Sequence, residues 1–146
     1  MTLPHMTRPY ETWAPVLGRL LLASAFLVGA LMKIPGTEIF TQQVAAAAAV
    51  GIPLASVAVT LAFVLEVVAG IALAIGWKAR LSAFVLMLYT ILLTVLFHMS
   101  FADPMAFGFF MSHLYLIGGL LYASVYGAQH VAVNACPLPQ ELTKKA

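Results

Sequence analysis

Charged side chains are scarce in this sequence. Seven Lys and Arg residues and five Asp and Glu residues are spread over 146 positions, so only 8% of the chain is charged. Soluble globular domains carry roughly a quarter charged residues, and the shortage therefore argues against a soluble domain. The basic residues are scattered and form no continuous patch, which gives no support for nucleic-acid binding.

Cysteine is almost absent as well. Cys136 is the only one, which excludes an intramolecular disulfide and a Cys-Cys metal site. The sequence also lacks a Gly-rich nucleotide loop, a Ser-His-Asp set and a haem attachment motif. We therefore predict no tightly bound cofactor.

Apolar residues, in contrast, are abundant, at 63% of the chain. A hydrocarbon core of ~30 Å is crossed by about 20 apolar residues in a helix, and four stretches reach about that length. They cover about residues 15–33, 54–77, 80–101 and 106–126. The pattern predicts an all-α membrane protein, a four-helix transmembrane bundle that forms a single domain over residues 1–146.

A shorter helical pattern lies between the first two spans, over residues 38–50. Thr37 is a suitable N-cap, and Gly51, Ile52 and Pro53 close the pattern. At ~1.5 Å per residue it is too short to cross a bilayer. We expect a short interfacial helix or a re-entrant lid, and a simple connecting helix is the favoured interpretation.

The distribution of basic residues predicts the orientation. In a four-span arrangement one side carries most of the cations, whereas the other side has Lys33 offset by Glu38 and Asp103. Cytoplasmic segments are enriched in Lys and Arg, so both termini are expected to be cytoplasmic. The cations on that side are Arg8, Arg19, Lys78, Arg80, Lys144 and Lys145.

Glu66 is a carboxylate near the middle of the second span. An ionisable residue at that depth is costly and is a functional-site hypothesis by default. Spacing of four places it on a ridge of small residues that favours close helix packing: Ala58, Ala62, Gly70 and Ala74. We expect Glu66 to face the bundle and to pair with Arg19, as a structural ion pair or as a group that handles a proton or ligand.

The histidines His98 and His113 are expected near the non-cytoplasmic surface. Imidazole titrates near neutral pH, and with Tyr115 the two rings could donate to a carbonyl oxygen and relay a proton, as a quinone headgroup requires. We assign Glu66 and His98 as catalytic candidates. The ligand-binding candidates are Arg19, Lys33, His113 and Tyr115, and the structural or orienting residues are Arg80 and Gly70.

A metal site is an alternative for the same region. Imidazoles and thioethers are ligands suited to copper, and His98, Met99, Met105, Met111 and His113 supply both. Their spacing matches no fixed metal motif, and methionine is a common filler of apolar helices. The site assignment above therefore includes no metal ligand.

Several short motifs, taken in order, resemble the DoxX family of small four-helix membrane proteins over roughly residues 15–125. They are Arg19, the segment Gly29-Ala30-Leu31-Met32-Lys33, Gly51-Ile52-Pro53, Glu66 with Gly70, Gly76 ahead of Arg80, Phe97-His98, and Gly118-Gly119. Arg19, Lys33, Glu66, Arg80 and His98 match polar positions that recur in the family pattern. In the last helix the family often has Lys-Asn before the Gly-Gly pair, and this chain has Ser112-His113.

The resemblance implies a left-handed four-helix bundle in a bacterial or archaeal cytoplasmic (inner) membrane. Family members are linked to thiosulfate:quinone oxidoreductase subunits and to membrane oxidoreductase complexes concerned with thiol or oxidative stress. Those links imply other protein subunits as partners, and a homo-oligomer is a further option. Membrane lipid is the surrounding medium.

Three functional hypotheses follow. The first is a quinone-linked oxidoreductase subunit, in which the bundle binds a quinone or a similar lipophilic redox molecule and a partner supplies the electrons. The second is a non-catalytic structural or assembly subunit whose polar residues only pack and orient the helices. The third is copper or other metal binding at the His/Met-rich outer end.

Overall fold

The computed structural model describes residues 8–99, 101–128 and 132–134. Within them the chain is all-helical, with five helices: α1 (Arg8–Leu31), α2 (Glu38–Ala49), α3 (Ala55–Ile75), α4 (Ala79–Phe97) and α5 (Pro104–Tyr126). By length and composition α1, α3, α4 and α5 can cross a membrane. The predicted four-span helical fold is therefore confirmed, and the protein is a multi-pass membrane protein whose apolar surfaces contact lipid.

The helix ends follow local chemistry. The Thr37 hydroxyl accepts from the Phe40 backbone N–H at 3.1 Å and begins α2. The Asp103 carboxylate accepts from the Met105 backbone N–H at 2.9 Å and begins α5, with Pro104 in its first turn. Gly76 ends α3 with a φ of 76°, a left-handed conformation that glycine adopts without strain.

Two helix bounds differ from the predicted ones by more than two residues. The first helix begins at Arg8, before Pro15, although its apolar span, Trp13–Leu31, agrees with the prediction. The third span ends at Phe97, because the backbone of His98 leaves the helix with a φ of −127°. The predicted cytoplasmic cations Lys144 and Lys145, and also Cys136, lie outside the described residues.

The four spanning helices form a ring. α1 packs on α3, α3 on α4, and α4 on α5, while α5 closes on α1 through a thinner seam and α2 packs on α3. Gly119 of α5 lies against Leu22 of α1 at this seam. Gly70 of α3 lies against Leu27 of α1, where a Cβ atom would be 3.0 Å from the leucine Cδ2. Small residues thus let these helices approach closely, as the predicted ridge requires.

The apolar core occupies one half of the bundle, near the α3–α4 turn. It is formed mainly by Leu73 of α3, Leu86 of α4 and Leu120 of α5, each fully buried. We call this half the apolar half. The other half, from the centre of the bundle to the α4–α5 turn, contains the buried acid and two of the histidines, and we call it the polar half.

Candidate functional site

The carboxylate of Glu66 lies at the centre of the bundle, between α1, α3 and α4. Only 3% of the residue is exposed. Its Oε1 and Oε2 each accept from Lys33 Nζ at 3.1 Å, and Oε1 also accepts from the Tyr89 hydroxyl at 2.7 Å. Glu66 faces the bundle, as predicted, and we call Lys33, Glu66 and Tyr89 the acid cluster.

The ammonium group of Lys33 is hydrogen-bonded to the backbone of α1 as well as to Glu66. Its Nζ donates to the Gly29 carbonyl at 3.2 Å, in the last turn of α1, as well as to both Glu66 oxygens. A cation near the C-terminal end of a helix is favourable because the last carbonyls carry partial negative charge. All three ammonium protons thus have acceptors, and the acid cluster is electrically neutral and hydrogen-bonded, which is what makes a buried ion pair tolerable.

The predicted Arg19–Glu66 pair is wrong. Arg19 Nε donates to the Ala74 carbonyl at 3.1 Å, and Ala74 lies about 12 Å from Glu66 along α3, at ~1.5 Å per residue. Lys33 lies one helical turn beyond Gly29, and its side chain reaches back so that Nζ contacts both the Gly29 carbonyl and Glu66. Lys33, two residues after α1, therefore neutralises the acid, and Arg19 of α1 contacts the end of α3.

Arg19 completes the hydrogen bonding at the C-terminus of α3. The carbonyls of Ala72 and Leu73 accept from Trp77 N–H and Gly76 N–H at 2.8 and 3.2 Å, that of Ala74 accepts from Arg19, and that of Ile75 accepts from Val133 N–H at 3.1 Å. The last carbonyls of a helix have no partner within it. Arg19 thus contacts the end of α3 in the apolar half, and the ligand-binding role predicted for it stays a prediction.

Two histidine rings are in contact in the polar half, near the α4–α5 turn. The rings of His98, after α4, and His113, in α5, are 4.9 Å apart between centroids and nearly perpendicular. His113 Nδ1 lies 2.8 Å from Thr94 Oγ1, and the His98 ring packs 5.2 Å from that of Phe109. We call His98, His113 and Thr94 the histidine cluster.

Burial lowers the pKa of His98 below its usual value of 6.5, because a charged imidazolium loses hydration when it is enclosed. Its neutral form is therefore dominant at neutral pH. A neutral imidazole offers one nitrogen as donor and one as acceptor, which suits recognition of carbonyl or hydroxyl groups.

The acid cluster and the histidine cluster are close but separate. Tyr89 and Thr94 are five residues apart on α4, about 7.5 Å along the helix at ~1.5 Å per residue. Among the described residues no hydrogen bond joins the two clusters. The structure thus stacks them in the polar half, with Glu66 deeper and the histidines nearer the α4–α5 turn.

The remaining predicted residues lie elsewhere. Tyr115 is 70% exposed, and two residues of helix separate it from His113 by about 200° of rotation, so it points away from the histidines. Gly70 lies on the α1–α3 contact, and Arg80 is partly buried at the start of α4. Met99 and Met105 are exposed. Among the described residues, no three His, Cys, Asp or Glu side chains gather as a metal site.

Tyr89 and Thr94 are the two contact residues that sequence reasoning did not select as site candidates. Thr94 stands on the buried face of α4, and it is 7% exposed. Tyr89 stands beside that face and reaches the neighbouring helix α3. The available signal was a hydroxyl within an apolar span, which needs a hydrogen-bond partner because the surrounding lipid supplies none.

The fold and these buried groups define a small multi-pass membrane protein whose helical bundle holds a buried ion pair and two contacting histidines on one half of its interior. Comparison with known families agrees. A family model described as DoxX matches residues 14–99, which include α2, α3, α4 and most of α1, and the chain belongs to the DoxX family. Comparisons with curated proteins and with solved structures give no match.

Proposed function

We propose that this protein is a small membrane subunit of a redox system that binds a quinone, or a similar lipophilic redox molecule, in the polar half of the bundle. The observation that carries the proposal is the contact between His98 and His113, two imidazoles with ring centroids 4.9 Å apart. Together they offer hydrogen-bonding nitrogens to a ring-shaped headgroup inside a membrane protein, where such groups are rare and functional.

The acid cluster lies deeper on the same side of the bundle and would tune or accept a proton. Glu66 already accepts the Tyr89 hydroxyl proton in a hydrogen bond of 2.7 Å, and Lys33 balances its charge. Electrons would come from a partner protein, because no motif for a tightly held cofactor is present. A bacterial or archaeal cytoplasmic membrane is the proposed location, with the polar half facing outward.

The test is a titration of the purified full chain in detergent with short-chain ubiquinone and menaquinone analogues. We expect saturable binding that weakens at least several-fold in His98→Ala and His113→Ala. Tyr115→Phe is the matched control, because this exposed side chain points away from the histidines, and it should bind as the unaltered protein does. Absence of binding by both quinones would refute the proposal.

A structural or assembly subunit is the second candidate. The acid cluster favours it, because all three Lys33 protons and both Glu66 oxygens are engaged within the chain. Glu66→Gln separates the two functions: loss of thermal stability with quinone binding retained supports the structural role, whereas loss of binding in a folded protein supports the redox role.

A further inference from the structure

The Thr94 hydroxyl has two neighbours and one proton. Its oxygen lies 2.7 Å from the Thr90 carbonyl oxygen and 2.8 Å from His113 Nδ1. A carbonyl can only accept, so the hydroxyl proton must point to Thr90. The opposite assignment would hold two oxygens 2.7 Å apart with no proton between them.

The assignment of that proton determines the tautomer of His113. Because the Thr94 proton is used, Thr94 Oγ1 can only accept from His113, and Nδ1 must carry the proton. A neutral imidazole has one N–H and one lone pair, which leaves the lone pair on Nε2. Thr94 is 7% exposed and lies within α4, so the helix holds its hydroxyl oxygen in place as the acceptor for His113 Nδ1.

We propose that Thr94 is a positioning residue that makes His113 Nε2 a hydrogen-bond acceptor, and that the site consequently prefers a ligand hydroxyl, the reduced hydroquinone form, over the quinone. This inference rests on the proposed function and names the form of the ligand that the site takes. A hydroquinone hydroxyl donates to Nε2, and the aromatic rings of His98 and Phe109, 5.2 Å apart, offer surfaces beside it.

A quinone fits this acceptor poorly. Its two oxygens are carbonyls, which present lone pairs to the lone pair of Nε2, and an acceptor that a bound ring encloses without a donor is costly. One such loss weakens binding by roughly tenfold. We therefore expect the hydroquinone to bind about tenfold more tightly than the quinone with the same ring substituents.

The tautomer is tested first, by ¹⁵N NMR of the full chain labelled at histidine in detergent. The chain has four histidines, and His113→Gln identifies the relevant signal. We expect a protonated Nδ1 and an unprotonated Nε2, unchanged in Thr94→Ser and mixed in Thr94→Val, which removes the hydroxyl at similar volume. A protonated Nε2 in the unaltered protein, or no change in folded Thr94→Val, would overturn the inference.

Ligand preference is tested with duroquinol, duroquinone and 2,3,5-trimethylphenol, under anaerobic conditions. The inference expects the two hydroxyl compounds to bind more tightly than duroquinone, and this preference to disappear in Thr94→Val but not in Thr94→Ser. Equal binding of quinol and quinone overturns it while leaving the proposed function intact. Binding of the phenol but not of the quinol, dependent on Thr94, would support the hydroxyl preference set by Thr94 but would overturn the hydroquinone as the ligand, and with it the redox proposal.

Discussion

The Lys33 side chain neutralises the buried carboxylate of Glu66. Its ammonium group donates to the end of α1 and to both oxygens of Glu66, and Tyr89 adds a third hydrogen bond to the carboxylate. The cluster joins three helices, because its members come from α3, α4 and the turn that follows α1. Removal of any one member therefore affects the packing of the others.

We predict that Lys33→Met lowers the free energy of unfolding by about 3–5 kcal/mol, because it leaves the buried carboxylate without its cation. The double variant Lys33→Met/Glu66→Gln should recover much of this loss, since an amide carries no charge and still accepts from Tyr89. The measurement is unfolding in mixed detergent micelles.

Lys78→Met is the control for that experiment. Lys78 is exposed, its ammonium group lies 5.3 Å from the centroid of the Trp77 ring, and its loss should change stability by less than about 1 kcal/mol. Equal destabilisation by Lys33→Met and Lys78→Met would contradict a stabilising role for the acid cluster.

At the scale of elements, α1 and α3 run antiparallel with an offset. Arg19 lies beside Ala74, Leu27 beside Gly70, and Lys33 beside Glu66. Because α1 ends where α3 is at its middle, α2 packs on α3 beyond that point. Gly29 of α1 lies at the depth of the acid, where a Cβ atom would be 3.6 Å from Glu66 Oε2, and the Lys33 side chain reaches back one turn to the carboxylate.

The two neighbouring glycines of α5 allow a sharp test of the α1–α5 seam. A Cβ atom at Gly118 meets nothing within 4 Å, whereas one at Gly119 would be 2.8 Å from Leu22 Cδ2. Gly118→Ala should raise the free energy of unfolding by roughly 0.5–1 kcal/mol, because alanine loses less conformational entropy in a helix. Gly119→Ala should lower it.

Leu22→Ala in the Gly119→Ala background is the matched rescue, since it removes the side chain that the new methyl group meets. Gly119→Ala should therefore lower the free energy of unfolding less in the Leu22→Ala protein than in the unaltered protein. Additive effects of the two substitutions would show that α1 and α5 do not make this contact.

The whole molecule divides into an apolar half and a polar half. Leu73, Leu86 and Leu120 fill the first, and the acid and histidine clusters occupy the second. α5 is the most exposed of the spanning helices, with only Leu120 of its described side chains buried. Most of its surface therefore faces lipid or a partner, and a homo-oligomer or a complex with other subunits remains a prediction.

The orientation predicted from the basic residues can be checked by cysteine labelling in a Cys136→Ser background. Met105 is 71% exposed near the α4–α5 turn, and Trp77 is 43% exposed at the α3–α4 turn. We expect a membrane-impermeant maleimide to label Met105→Cys in intact spheroplasts and Trp77→Cys only after lysis, because the Lys- and Arg-rich side stays cytoplasmic. The reverse pattern would place the polar half inside.

The sequence by itself determined the four spans, the short α2 with its Thr37 cap and the inward direction of Glu66, because hydropathy, capping and helical spacing act along one chain. The tertiary structure determined which side chains contact Glu66 and His113. Helical spacing identifies the residues that share a face, but it does not determine how far one helix slides along another. The axial register of the helices places Lys33, and not Arg19, against Glu66. It also brings Tyr89 to the same carboxylate and Thr94 to His113.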